Sequence, residues 1–244
     1  MTERLKISIE NLYNIFSKYQ GNPGMTGSSL YESLDEWNKS LFSKPLQYLS
    51  SEDLALFAGK VISTWGDTND FKHFLPRLFE LTALFDTPYD VWILYQKLKD
   101  ANFQRWDIEE QNAVNDVSIA MWDNLLNDNS EKAEWEFSDY FASLAHFYPD
   151  FNNLTELWLL NDSFSSIKNL VIYVYEEAYN LFQKHYIRGN MKSTRNIIAF
   201  KNWLLSDSVI EKLTNAFYQY ESTELAEKIS WTIKILENEK YNSV

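Results

Sequence analysis

The 244-residue chain contains no cysteine, only six glycines and only five prolines. Without thiols it can form no disulfide, run no thiolate catalysis and hold no zinc–thiolate site or iron–sulfur cluster. With so few helix breakers, long helices are expected. Basic residues are in the minority, 22 against 35 acidic ones, for a net charge of −13. Such a field repels phosphate backbones and anionic bilayers, so neither nucleic acid nor membrane is expected as a partner. A basic protein would be steered in. The plainer alternative is that the charge serves solubility. Apolar runs are short: Leu170 to Tyr175 is the longest strongly apolar one, far below the ~20 residues that span a bilayer. The opening Met1-Thr2-Glu3-Arg4-Leu5-Lys6 has no apolar signal core, and a cytoplasmic, bacterial-type chain is expected.

What is abundant is apolar and aromatic. Hydrophobic residues make up 45% and aromatics 16%, with nine Trp. That is enough to fill a sizeable core, so an ordered fold is expected. The length lies just under the ~250–300 residues at which single cores stop growing. One helical domain over 1–244 is expected, with a subdivision, if any, near 102–106 or 127–130.

Apolar residues recur at helical steps along most of the chain. Leu5, Ile9, Leu12, Tyr13, Phe16 and Tyr19 form one stripe, which Gly21 to Gly24 should end. A short helix is expected over Leu30 to Asn38. Ser50 or Ser51 should cap a helix carrying Leu54, Phe57, Ala58, Val61, Ile62 and Trp65 and stopped by Gly66. Pro76 predicts a kink or restart after Leu75. Thr87-Pro88 reads as a capped start, and Asp107 opens another helix. After the polar break at Asn127 to Ser130 a helix runs from Glu131 toward Pro149. Leu154 to Leu160 follows, then a long helix capped by Ser163 or Ser166, running to Ile187 and closed by Gly189-Asn190. Three more cover Thr194 to Leu205, Asp207 to Tyr220, and Leu225 onward. The fold class is therefore all-α, with ten or eleven helices in an irregular bundle or an α-solenoid-like array.

Local signatures of chemistry are missing. There is no phosphate loop, no His-Glu-x-x-His helix, no Glu-x-x-His pair and no Gly-x-Ser-x-Gly elbow. His73, His146 and His185 lie far apart in sequence, so no metal or cofactor site is expected. One string combines costly residue types: Thr64-Trp65-Gly66-Asp67-Thr68-Asn69-Asp70-Phe71-Lys72-His73-Phe74-Leu75-Pro76-Arg77. Read structurally, Trp65, Phe71, Phe74 and Leu75 fill the core, Asp70 caps a helix and Arg77 pairs with Glu80 or Asp70. Read chemically, Asp70, His73 and Arg77 are the catalytic candidates, with His73 as acid or base and Arg77 as an anion clamp. Thr64-x-Gly66 followed by Asp70-Phe71-x-His73-Phe74-Leu75-Pro76-Arg77 and an acid near Glu80 resembles a motif of uncharacterised bacterial helical proteins. The resemblance covers about Leu54 to Leu81 and implies a helical domain, not a reaction.

The remaining signals are the aromatic surplus (Trp92, Tyr95, Trp106, Trp122, Trp135, Trp158 and Trp203) and the acidic stretches at Glu109-Glu110, Asp123 to Glu136 and Glu221 to Glu227. Aromatics fill helical cores, and Trp and Tyr also anchor interfaces. Carboxylates favour helix starts through the helix dipole. Together these favour a non-catalytic interaction module, inhibitor- or immunity-like, that binds a basic partner. The alternatives are an enzyme with a small-molecule pocket around His73 and Arg77, and a structural helical scaffold.

Overall fold

The computed structural model describes residues 1–188 and 194–242. The chain forms two compact units, Met1–Met121 and Trp122–Val244. The first contains α1 (Glu3–Phe16), α2 (Leu34–Leu41), α3 (Ser51–Lys60), α4 (Thr68–Ala83) and α5 (Val91–Asp100). The division between the units falls inside α6 (Ile108–Asn127). The second contains α7 (Glu131–Phe147), α8 (Phe151–Leu160), α9 (Phe164–Phe182), α10 (Thr194–Leu204), α11 (Asp207–Gln219) and α12 (Glu224–Asn242). No sheet forms among the described residues, only isolated bridges from Trp65 to Gly27 and Val61.

In the first unit α1 and α3 pack on α4, and α2 and α5 pack on α3. The α1 stripe goes inward as its spacing dictates, with Leu5, Ile9, Leu12 and Phe16 all buried. Ser50 and Asp67 start α3 and α4 with reciprocal capping boxes. Each such cap typically contributes ~1 kcal/mol. In the second unit α9 packs against α7, α10 and α12, α8 against α10 and α11, and α11 against α12. Ser130, Asp150, Ser163 and Ser206 cap α7, α8, α9 and α11 through their side-chain oxygens.

Several boundaries differ from the sequence expectation: α1 stops at Phe16, short of Tyr19 and Gly21, and α8 starts at Phe151, ahead of Leu154. The short helix lies at Leu34–Leu41, later than Leu30 to Asn38. Helix α3 ends at Lys60, not at Gly66: the Lys60 carbonyl collects the amides of Ser63, Thr64 and Trp65. Ile62 there takes a left-handed φ of 68°, a strained state for a β-branched residue. Tertiary bonds hold it. The Lys97 ammonium donates to the Val61 carbonyl and the Ser63 hydroxyl, both at 2.8 Å, and the Trp65 indole donates to Asn38 at 2.9 Å. Helix α5 starts at Val91, past Thr87-Pro88, because that segment lays the Tyr89 ring against Gly59. Helix α9 stops at Phe182, before Ile187, and His185 follows in a left-handed conformation. Gly189-Asn190 lie outside the described residues.

Pro76 does not restart the helix. Helix α4 runs unbroken from Thr68 to Ala83 with Pro76 buried inside it. Burial of eleven of its sixteen residues outweighs the ~3 kcal/mol an interior proline costs.

Candidate functional site

Helix α4 organises the candidate residues, and it gives each a different partner. Asp70 is the third residue of α4. Its Oδ2 accepts from the Asp67 backbone N–H at 2.9 Å, while Asp67 returns the bond to the Asp70 amide. Burial pushes the Asp70 carboxyl up from its ordinary range. Gly66 precedes it at φ +70°, and a Cβ there would lie 3.0 Å from Asp70 Oδ2, so the turn requires glycine.

One turn on, His73 directs Nδ1 at the Tyr19 carbonyl oxygen, 2.9 Å away. Its ring meets Phe74 edge-on and stacks against Phe42. One more turn on, the Arg77 guanidinium donates Nε to the Leu49 carbonyl and an η nitrogen to Glu80, both at 2.7 Å. Glu80 also accepts from the Tyr13 hydroxyl at 2.7 Å. Burial and the Glu80 carboxylate drive the Tyr13 phenol upward. A cleft of about 230 Å³ opens beside His73, walled by Phe42, Leu46, Leu49 and Phe74. Neither Asp70 nor Arg77 lines it; Arg77 is tied to its wall only through the Leu49 backbone.

A denser charged cluster lies around Lys72, the neighbour of His73. Glu110 of α6 is fully buried and accepts three bonds: Lys72 at 2.6 Å, Tyr19 at 2.5 Å and Lys18 at 2.8 Å. Lys72 also donates to the Tyr19 hydroxyl at 2.9 Å and lies 4.2 Å from the Trp106 ring centre. Burial alone would raise the Glu110 carboxyl, but the bonds from Lys18, Lys72 and Tyr19 outweigh it and hold the group below its ordinary value. The carboxylate and both cations are engaged with one another, which suits clamping the end of α1 to α4 and α6 better than shuttling a proton.

Periodicity places Lys72 among Phe71, Phe74 and Leu75, and a lysine there demands a partner. No sequence signal picks Glu110 out of 35 acidic residues, and Glu110 also reads as a helix-start carboxylate.

The second unit is organised by aromatics. Trp122, Phe137, Phe141, Trp158, Tyr173 and Phe200 form one buried cluster with ring centres 4.8–6.3 Å apart. Of the Trp and Tyr surplus read from the sequence, Tyr95, Trp106, Trp122 and Trp158 are core residues. Trp92 and Trp203 are half-buried, and Trp135 is 86% exposed on α7. Glu131 and Asp139 stand one helical turn to either side of it, so they share its face. Adjacent Glu134 pairs with Lys168 of α9 at 2.5 Å. Lys168 begins an outward stripe of α9 that continues to the exposed Tyr175 and Tyr179.

Among the described residues no group of three or more His, Asp or Glu side chains is placed to hold a metal ion. No described helix is long and apolar enough to cross a membrane. No family model, curated protein or solved structure matches this chain.

Proposed function

We propose that this protein is a non-catalytic interaction module, inhibitor- or immunity-like, that binds a basic protein partner. The observation that carries the reading is Trp135, whose indole is 86% exposed between carboxylates on an acidic helix. Trp65, Trp106, Trp122 and Trp158 are buried and Trp135 is the most exposed Trp among the described residues; leaving an indole in water forgoes ~1.5–3 kcal/mol or more of burial. Trp is the residue type most enriched at interface hot spots, and an indole face flanked by carboxylates attracts a Lys or Arg by cation–π and ion-pair terms together. Tyr175 and Tyr179 add exposed rings on α9, and the net charge of −13 steers a cationic partner in.

Capture from the native cell, at low and moderate salt, tests this. Recovery of a basic protein by wild type, weakened by salt and lost with Trp135→Ala, supports the reading. Equal recovery by wild type and Trp135→Ala, or none by either, counts against it.

A cytoplasmic location and a bacterial source belong to the same reading, as does stacking of the helices in a solenoid-like array. A second reading, a small-molecule pocket at His73, is favoured by the cleft beside that residue. Arg77 is committed to Glu80 and Leu49 and would contribute only indirectly.

A further inference from the structure

We propose that the cleft beside His73 binds a small aromatic molecule carrying one hydrogen-bond donor, of the phenol or indole class. The inference stands apart from the protein-partner reading, because it rests on the first unit only.

Three observations define the ligand. The first is the wall. Phe42, Leu46, Leu49 and Phe74 present rings and branched aliphatic groups around about 230 Å³. An apolar cavity of ~150 Å³ is already large enough to take up benzene, so one or two fused rings fit here.

The second is the imidazole. Its Nδ1 faces the Tyr19 carbonyl at 2.9 Å. A carbonyl oxygen only accepts, so the proton of the neutral ring sits on Nδ1 and Nε2 is left as a bare acceptor. No described group bonds Nε2, which lies on the Gly21 side of the ring, and Gly21 and His73 both line the cleft. Nε2 is the imidazole nitrogen without a described partner, and a ligand in the cleft that reaches it must supply a donor: a phenolic O–H or an indole N–H.

The third is charge. Lys44 is the only cation on the lining and is already paired with Asp53 at 2.6 Å. The protein as a whole carries −13. An aromatic carboxylate is disfavoured by that field, and a neutral donor is not.

Gly21 supplies the means to close the cleft. A Cβ there would lie 2.3 Å from a Phe42 ring carbon and 2.8 Å from His73 Nε2. A methyl group must displace the two rings that form this wall.

The test uses indole and its near-isostere benzofuran, which lacks the N–H, titrated into the intact protein by calorimetry. In parallel, the side-chain ¹⁵N resonance of His73 Nε2 is followed; the chain has only three His, which makes assignment direct. The expected result is saturable indole binding, benzofuran weaker by about fivefold to tenfold, and a shift of the Nε2 resonance as indole saturates. Gly21→Ala should abolish binding, and His73→Phe should erase the preference for indole over benzofuran.

No saturable indole binding, equal affinity for the two compounds, or an unmoved Nε2 resonance at saturation overturns the proposal. So does a folded Gly21→Ala that binds as wild type does. Should Gly21→Ala fail to fold, the two wild-type measurements decide alone.

Discussion

The two units carry a similar excess of acidic residues but place their difficult groups oppositely. Among the described residues the first buries four charged side chains, Asp70, Lys72, Lys97 and Glu110, and the second buries one, Lys212. In exposed aromatics the order reverses. The first unit exposes only Tyr48 and Tyr89, whereas the second exposes Trp135, Phe164, Tyr175, Tyr179, Tyr218, Trp231 and Tyr241. The first unit therefore holds itself together partly with charge inside, and the second keeps charge and rings outside, where a partner can meet them. A buried polar cluster and an exposed aromatic surface both look functional in a sequence; the geometry shows the first closed on its own partners and the second open to water.

The sharpest way to break this contrast is to remove one half of the buried pair. Glu110→Ala strands the Lys72 ammonium, and loss of one partner of a buried ion pair costs ~3–5 kcal/mol. Replacing both, Glu110→Leu with Lys72→Met, should recover much of that loss in denaturant titrations. If Glu110→Ala melts like wild type, the cluster is not the clamp described above.

The aromatic cores should respond alike in the two units. Trp65→Ala and Trp158→Ala each remove an indole that is at most 2% exposed and should cost ~3–5 kcal/mol. Trp65→Ala also strands the amide oxygen of buried Asn38. An unchanged melting temperature for Trp65→Ala would make the 64–77 string a site maintained for function and not for packing.

Acid should separate the units by window. His146 in the second unit is held below its ordinary value, first by burial, so the fold prefers the neutral ring. That contribution falls as pH drops through the unfolded value near 6.5. In the first unit Glu110 and Asp53 are depressed, Asp53 to about 2 chiefly by the Lys44 bond. Their contributions persist above the ordinary carboxylate values and are lost only as pH falls below ~4.5 toward the folded values. Asp70, raised by burial, acts in the opposite sense, favouring the fold at low pH. Melting temperature against pH should thus decline in two stages, and His146→Gln should flatten the earlier one. A single decline below pH ~4.5 in wild type contradicts the assignment to His146.

Most of the secondary structure was legible because the apolar spacing is regular and the caps are explicit: the breaks at Asn127–Ser130 and before Pro149, and the caps at Ser50 and Ser163, lie where the residues indicate. The misread boundaries have long-range causes. Nothing local to Val61–Trp65 signals that Lys97 and Asn38 will hold that turn outside a helix. The buried faces of Trp65, Phe71, Phe74 and Leu75 followed from their period. The partner of Lys72, and the split of the Trp residues into core and surface, depend on which helix faces meet, and no local pattern encodes that.

Trp135→Ala separates recognition from folding, because the residue is exposed and its loss should shift stability by no more than ~0.5 kcal/mol. The expected result is an unchanged melting temperature together with loss of the captured basic partner, and a smaller loss for Tyr175→Ala. A Trp135→Ala protein that melts as wild type and still captures that partner undiminished would contradict it.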